Sequence, residues 1–134
     1  MFNIEKFFQK YYYMFIEILP RLWITNLIGS EQDKYIKFYK ITNIIDCYQD
    51  IKHNVDVNGY LIELVKLIQA KISKLESVVL ISKKSYDLYI IIILYCMIFG
   101  KIPLKHIYNI LKYKVGDFEI TKYKSLLKLV NSKV

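Results

Sequence analysis

The sequence is short of arginine, histidine, cysteine, glycine and proline, and each shortage closes off a kind of chemistry. Arginine occurs once, as Arg21. Since bidentate recognition of phosphate or guanine rests on guanidinium groups, a dedicated nucleic-acid reader is not expected. The two cysteines, Cys47 and Cys96, each lie in an apolar stretch without metal-ligand spacing, and they read as buried free thiols. His53 follows Cys47 by six residues across a loop, and nothing near it would lower a thiol pKa, so a Cys47–His53 nucleophile pair is not expected. His106 sits on an amphipathic helix beside Lys105, and two scattered histidines give no metal site and no cofactor. Long apolar runs are missing too: the longest uncharged one covers residues 88–99, well short of the roughly 20 needed to span a bilayer. It reads as a core helix. Glu5, Lys6 and Lys10 interrupt the apolar residues at the start, so no signal peptide is expected and the protein reads as soluble, intracellular and cytoplasmic.

What is present is apolar and aromatic. The 134 residues are 54% hydrophobic and 16% aromatic, enough for one domain with a real core and little disorder. The net charge of +8 is uneven. Residues 1–70 hold eight basic and eight acidic side chains, whereas residues 101–134 hold eight lysines against Asp117 and Glu119. A lysine-rich C-terminal half predicts weak, non-specific polyanion binding.

Along the chain, residues 3–16 suit an aromatic-faced helix, and Pro20 separates two short extended pieces in "EILPRLWIT". Residues 29–40 suit a surface helix capped by Ser30, with Tyr35, Ile36 and Tyr39 inward. "ITNIIDCYQ" is a β-branched run read as a buried strand, and residues 51–55 are either a loop or a stunted strand. Asp56 opens a helix whose Leu61, Leu64, Ile68 and Ile72 recur at helical spacing. "SVVLI" reads as an interior parallel strand, followed by a core helix over 86–99. Pro103 suits the first position of the next helix, and a last helix is expected over 120–133. Strands alternating with helices predict an α/β fold on a small, mostly parallel central sheet flanked by helices.

The order of these pieces resembles the dual-specificity (VH1-like) protein phosphatases, a branch of the protein-tyrosine-phosphatase fold. "EILPRLWITNLIGSEQDKYIKFYKITNIIDC" resembles their opening, with Leu19, Pro20, Leu22, Ile24, Asn26, Leu27, Ile41, Thr42, Ile44 and Ile45 on pattern. "DVNGYLIELVKLI" is similar to the helix before their catalytic strand, with Asp56 and Tyr60 on pattern. "LYCMIFGKIPLKHIYNILK" resembles the two helices after the catalytic loop through Tyr95, Met97 and Leu104. The likeness spans about residues 17–130, and the order of motifs carries it. It implies a domain over 17–134, with residues 1–16 as a separate aromatic helix.

The departures fall where the family's chemistry would be. Its signature is His-Cys, five residues, then Arg; the thiolate attacks phosphorus while the loop N–H groups and the arginine hold the phosphoryl oxygens. Aligned from the strand, those positions are Ile81, Ser82 and Leu88; aligned back from the helix, Ile81 takes the cysteine position and Asp87 the arginine position. The intervening Lys83, Lys84 and Ser85 include no glycine for a positive-φ position. Asp87, in the first helical turn, suits the helix dipole and occupies the niche of a substrate phosphate. Lys83 and Lys84 are either solvated or a residual anion site. The family's general-acid aspartate has no clear counterpart, because the chain before Asp56 is too short for a full extra strand and loop; Asp50 falls nearest.

Phe7, Phe8, Tyr11, Tyr12 and Tyr13 exceed what one helical face can bury, so they either pack under the domain's own loops or form an interface with a protein partner or a second copy. The resemblance with its departures implies a catalytically dead pseudophosphatase acting as a scaffold, structural or interaction subunit. The alternative is a pseudophosphatase that still binds phosphoproteins or other polyanions through Lys83, Lys84 and the helix N-terminus. Composition heavy in Ile, Lys, Tyr and Asn suggests an AT-rich genome; large DNA viruses carry this family, so a viral, virion-associated protein is an expectation.

Overall fold

In the computed structural model, residues 14–47, 57–82 and 85–116 are described. Four strands form one sheet in the order β1-β2-β4-β3: β1 is Phe15–Leu19, β2 Leu22–Thr25, β3 Asn43–Asp46 and β4 Val78–Ile81. β1 pairs antiparallel with β2, while β4 lies parallel to both β2 and β3. Among the described residues four helices accompany them: α1 (Gly29–Phe38), α2 (Val57–Ser73), α3 (Ser85–Ile98) and α4 (Leu104–Val115). The fold is therefore α/β with a small, mostly parallel sheet flanked by helices.

Parallel pairing buries β4 between two neighbours, which is why its sequence is Val-Val-Leu-Ile without alternation. Leu22, Ile24, Val78 and Leu80 project from one sheet face into the core, where they meet Leu61, Leu64, Val65 and Ile68 of α2 and the middle of α3. α3 has apolar side chains all round and lies between α2 and α4; Leu88, Ile91, Ile92, Ile93 and Leu94 are at most 1% exposed. α4 closes this layer with Ile107 and Leu111.

Several expectations change. Phe15 and Ile16, read as the end of an N-terminal helix, are the first residues of β1, because they pair with Thr25 and Ile24. β3 is not buried on both faces. It is the last strand of the sheet among the described residues, its exposure alternates, and Ile44 is 55% exposed. Ser30 does not cap α1; the chain enters through extended Ile28 and Gly29 at φ 63°, with no side-chain cap. Pro103 is the N-cap of α4 rather than its first helical residue. Residues 51–55 and the expected helix over 120–133 lie outside the described residues, and of the expected helix over 3–16 so do residues 3–13.

The only arginine belongs to the architecture. Pro20 and Arg21 make the β1–β2 turn, Arg21 taking φ 67°. Its carbonyl accepts the Val78 N–H at 2.8 Å, its N–H donates to Glu17 Oε2 at 3.0 Å, and Nη2 donates to the Ile72 carbonyl at 3.3 Å. Arg21 thus ties the start of β4 to the C-terminal end of α2, whose dipole favours a cation.

Candidate functional site

The carboxyl ends of β2, β4 and β3 converge, and in parallel sheets that edge is where ligands are held. Thr25 and Asp46 pair with Ile81 on either side. Ser82 follows Ile81 and continues the ladder: its N–H donates to the Thr25 carbonyl at 3.2 Å, while the Cys47 N–H donates to the Ile81 carbonyl at 2.8 Å. Thr25 is fully buried and answers its own polarity locally. Its Oγ1 donates to the Met14 carbonyl at 2.7 Å and accepts the Leu27 N–H at 3.0 Å. Asn26 accepts the Met14 N–H at 2.9 Å through Oδ1. These bonds fix the β2 exit against β1.

Ser82 is only 1% exposed. Its Oγ donates to Asp87 Oδ2 at 3.5 Å, the long limit of such a bond. Asp87 is in the first turn of α3, where the free N–H groups and the helix dipole favour negative charge. Leu88, one position on, points into the core and is fully buried. Of the two candidate arginine positions, the structure therefore brings Asp87 to Ser82 and sends Leu88 away. Neighbouring helical residues diverge by about 100°, so only one of them can face the loop.

The pairing mixes the two sequence registers: Ser82 comes from the strand-based one and Asp87 from the helix-based one. Four residues separate them, and the helix is already described from Ser85. Ile81 is half-buried at the end of β4, and Ser85 opens α3. Lys83 and Lys84 lie outside the described residues, as do Asp50, His53, Asp56 and the aromatic positions Phe7, Phe8, Tyr11, Tyr12 and Tyr13.

The remaining candidates fall elsewhere. Cys47 is fully buried and belongs to the core. Cys96 is buried on α3, and burial pushes its thiol up to about 11, so it stays protonated and unreactive. His106 is exposed on α4. Among the described residues no group of three or more His, Cys, Asp or Glu could hold a metal ion, and no helix is long and apolar enough to cross a membrane. The sequence reading missed Thr25, whose β-branched type fits a strand interior as well as a loop anchor. It also missed the stacking of Phe15 and Trp23 with Tyr35 and Tyr39 on the outer sheet face.

The architecture is that of the dual-specificity phosphatases. A leucine-rich-repeat and phosphatase-domain protein from Entamoeba histolytica superposes with a TM-score of 0.71 at 15% identity, covering 88% of this chain and 91% of that one. Human DUSP28 gives 0.68 at 12% identity over 88% and 93% of the two chains. A mouse putative dual specificity phosphatase, solved as a zinc tungstate complex, gives 0.69 at 14% identity over 88% and 87%. No family model and no curated protein matches the sequence. At these identities the likeness defines the fold.

Proposed function

We propose that the chain is a dual-specificity-phosphatase fold without phosphotransfer activity, and that it acts by binding, as a scaffold or interaction subunit. The observation that carries this reading is the Asp87 carboxylate held 3.5 Å from the Ser82 hydroxyl. Aligned from the helix, position 87 is where a phosphatase of this fold holds the arginine that clamps the phosphoryl group; aligned from the strand, position 82 is where it holds the thiolate that attacks it, and the two stand here one residue closer than the family's spacing. Here the first has reversed its charge and the second is an alcohol.

The charge reversal is the stronger of the two changes. Like charges about 4 Å apart repel by on the order of 4 kcal/mol per unit charge near a protein surface. A phosphate monoester carries nearly two negative charges at neutral pH. The same carboxylate lies in the first turn of α3 and puts a negative charge at the helix N-terminus that would otherwise attract the anion. Asp87 is also the acceptor closest in kind to a base for Ser82, but a carboxylate is far too weak a base to generate an alkoxide. No guanidinium can take over, because Arg21 is held at the opposite end of β4, a four-residue strand and so about 13 Å away.

The alternative, a protein that still captures phosphorylated partners through Lys83 and Lys84, requires these lysines to overcome Asp87. It predicts salt-sensitive phosphate binding that Lys83→Ala/Lys84→Ala abolishes.

Turnover decides between a binding protein and an enzyme. Aryl phosphate, phosphotyrosine peptide and phosphothreonine peptide are offered to the wild type and to Ser82→Ala. The proposal predicts the same background rate from both. Hydrolysis by the wild type that Ser82→Ala removes would overturn it.

A further inference from the structure

The outer face of the sheet carries an aromatic surface that stays open among the described residues. Phe15 of β1 and Trp23 of β2 project there, opposite the core residues Leu22 and Ile24. α1 lies over them: the Trp23 and Tyr39 ring centroids are 4.3 Å apart, and Phe15 stacks on Tyr35 at 5.2 Å and on Tyr39 at 5.8 Å. Yet α1 buries none of its residues fully. Ile28, just before it, is 62% exposed and Phe38, at its end, 74%.

One flank of α1 is patterned. Glu31, Lys34, Tyr35 and Phe38 follow at i, i+3, i+4 and i+7, the spacing that lines side chains up on one helical stripe. Two adjoining grooves open along it. The first, of about 580 Å³, has Met14, Phe15, Leu27 and Glu31 in its wall. The second, of about 720 Å³, has Lys34, Lys37 and Phe38, and Tyr35 and Tyr39 line both. Glu31 and Lys34 are exposed, and neither has an ion-pair partner among the described residues, where the one ion pair is Glu63–Lys66 on α2.

We infer that this stripe is the contact between two copies of the chain, paired antiparallel through α1 about a two-fold axis. The stripe is complementary to itself in that direction. With the axis level with position 33, Phe38 of one copy stands opposite Ile28 of the partner subunit, since each lies five residues from that level. Glu31 stands opposite Tyr35 of the partner subunit, which leaves the partner's Lys34 one residue away, about 1.5 Å along the helix. The symmetry repeats both contacts, so two apolar pairs close the ends and two Glu31–Lys34 pairs fill the middle. A parallel arrangement would instead set Glu31 against Glu31 and Lys34 against Lys34.

The grooves fit the same register. Phe38 arriving at the level of Ile28 meets the first groove beside Leu27, so each copy buries the other's exposed ring. The stripe holds one acid and one base, and therefore adds no repulsion between two chains that each carry +8. Pairing through α1 is independent of whether Ser82 and Asp87 support chemistry.

Sedimentation equilibrium on the full chain tests the pairing. The wild type is expected to dimerise in the micromolar range, as a small contact of this kind allows. Phe38→Ser, at a position exposed in the single chain, weakens the dimer at least tenfold. Glu31→Lys alone and Lys34→Glu alone do the same, because each sets like charges together twice. The decisive arm mixes these two charge variants. Every contact between positions 31 and 34 of unlike chains is then lysine with glutamate, so the mixture regains the dimer that each variant lost. A wild type that stays monomeric at about 100 μM overturns the pairing, as does a dimer that persists in Phe38→Ser or a mixture no tighter than its components.

Discussion

The Ser82 hydroxyl and the Asp87 carboxylate face each other across the turn from β4 into α3, at 3.5 Å. Both the strand end and the helix start would be used by a phosphatase, and here each presents a group unsuited to holding or attacking phosphate. This pairing is more informative than either substitution alone, because a serine by itself leaves an anion site intact.

Asp87→Arg should convert the site. Replacing a repelling charge with a clamping one is expected to raise tungstate affinity by at least tenfold over the wild type, read by calorimetric titration. The same substitution places a cation at a helix N-terminus, so a loss of about 0.5–1 kcal/mol in folding stability accompanies the gain.

Ser82→Cys alone should not restore hydrolysis. A thiol buried beside the Asp87 carboxylate has, among the described residues, no cation beside it to favour its thiolate and no guanidinium to clamp the phosphoryl oxygens. Aryl phosphate turnover by this variant is expected to equal the uncatalysed background. Activity above background would mean that a phosphate still enters past Asp87.

Much of this arrangement could be read before the structure, and the failures have physical causes. β4 and α3 announce themselves, since only burial on all sides explains "VVLI" and the run of isoleucines in α3. β3 looked the same because Ile44 and Ile45 are both β-branched, but period-two geometry sends one inward and the other to solvent on an outer strand. The first residues of β1 were hidden among the aromatics before them, which suit helix or strand until a partner such as β2 decides. The register at the loop could not be settled by counting. Whether position 87 or 88 faces Ser82 depends on where α3 starts, and one residue turns the side chain by about 100°.

Position 88 supplies a direct check of that register. Leu88 is fully buried in the core, so Leu88→Ala should lose about 2–5 kcal/mol in denaturant unfolding. Leu88→Arg should fail to fold, whereas Asp87→Arg folds. The reverse outcome would place the clamp position at 88.

Alkaline pH should weaken the fold. Burial raises the Cys96 thiol from 9.0 to about 11. Burial, with the neighbouring Cys96, raises the Tyr95 phenol as well, against an opposing pull from Arg21. Tyr95 donates to Gln69 Oε1 at 2.9 Å. A folded-state pKa raised above the unfolded value contributes stability that is complete below the unfolded pKa and is lost as pH rises through the folded one. Urea unfolding between pH 8.5 and 11 is therefore expected to show stability falling by on the order of 2 kcal/mol, and Cys96→Ala should flatten that fall.

The central claim is that Asp87 closes the old phosphate site. The most direct measurement is a titration of tungstate and phosphotyrosine into the ¹⁵N-labelled wild type, following the amide signals of residues 82–89. The account predicts no saturable shifts in the wild type and saturable shifts once Asp87 is arginine. Saturable wild-type shifts in those residues would contradict it, and would mean that the loop still reads phosphate.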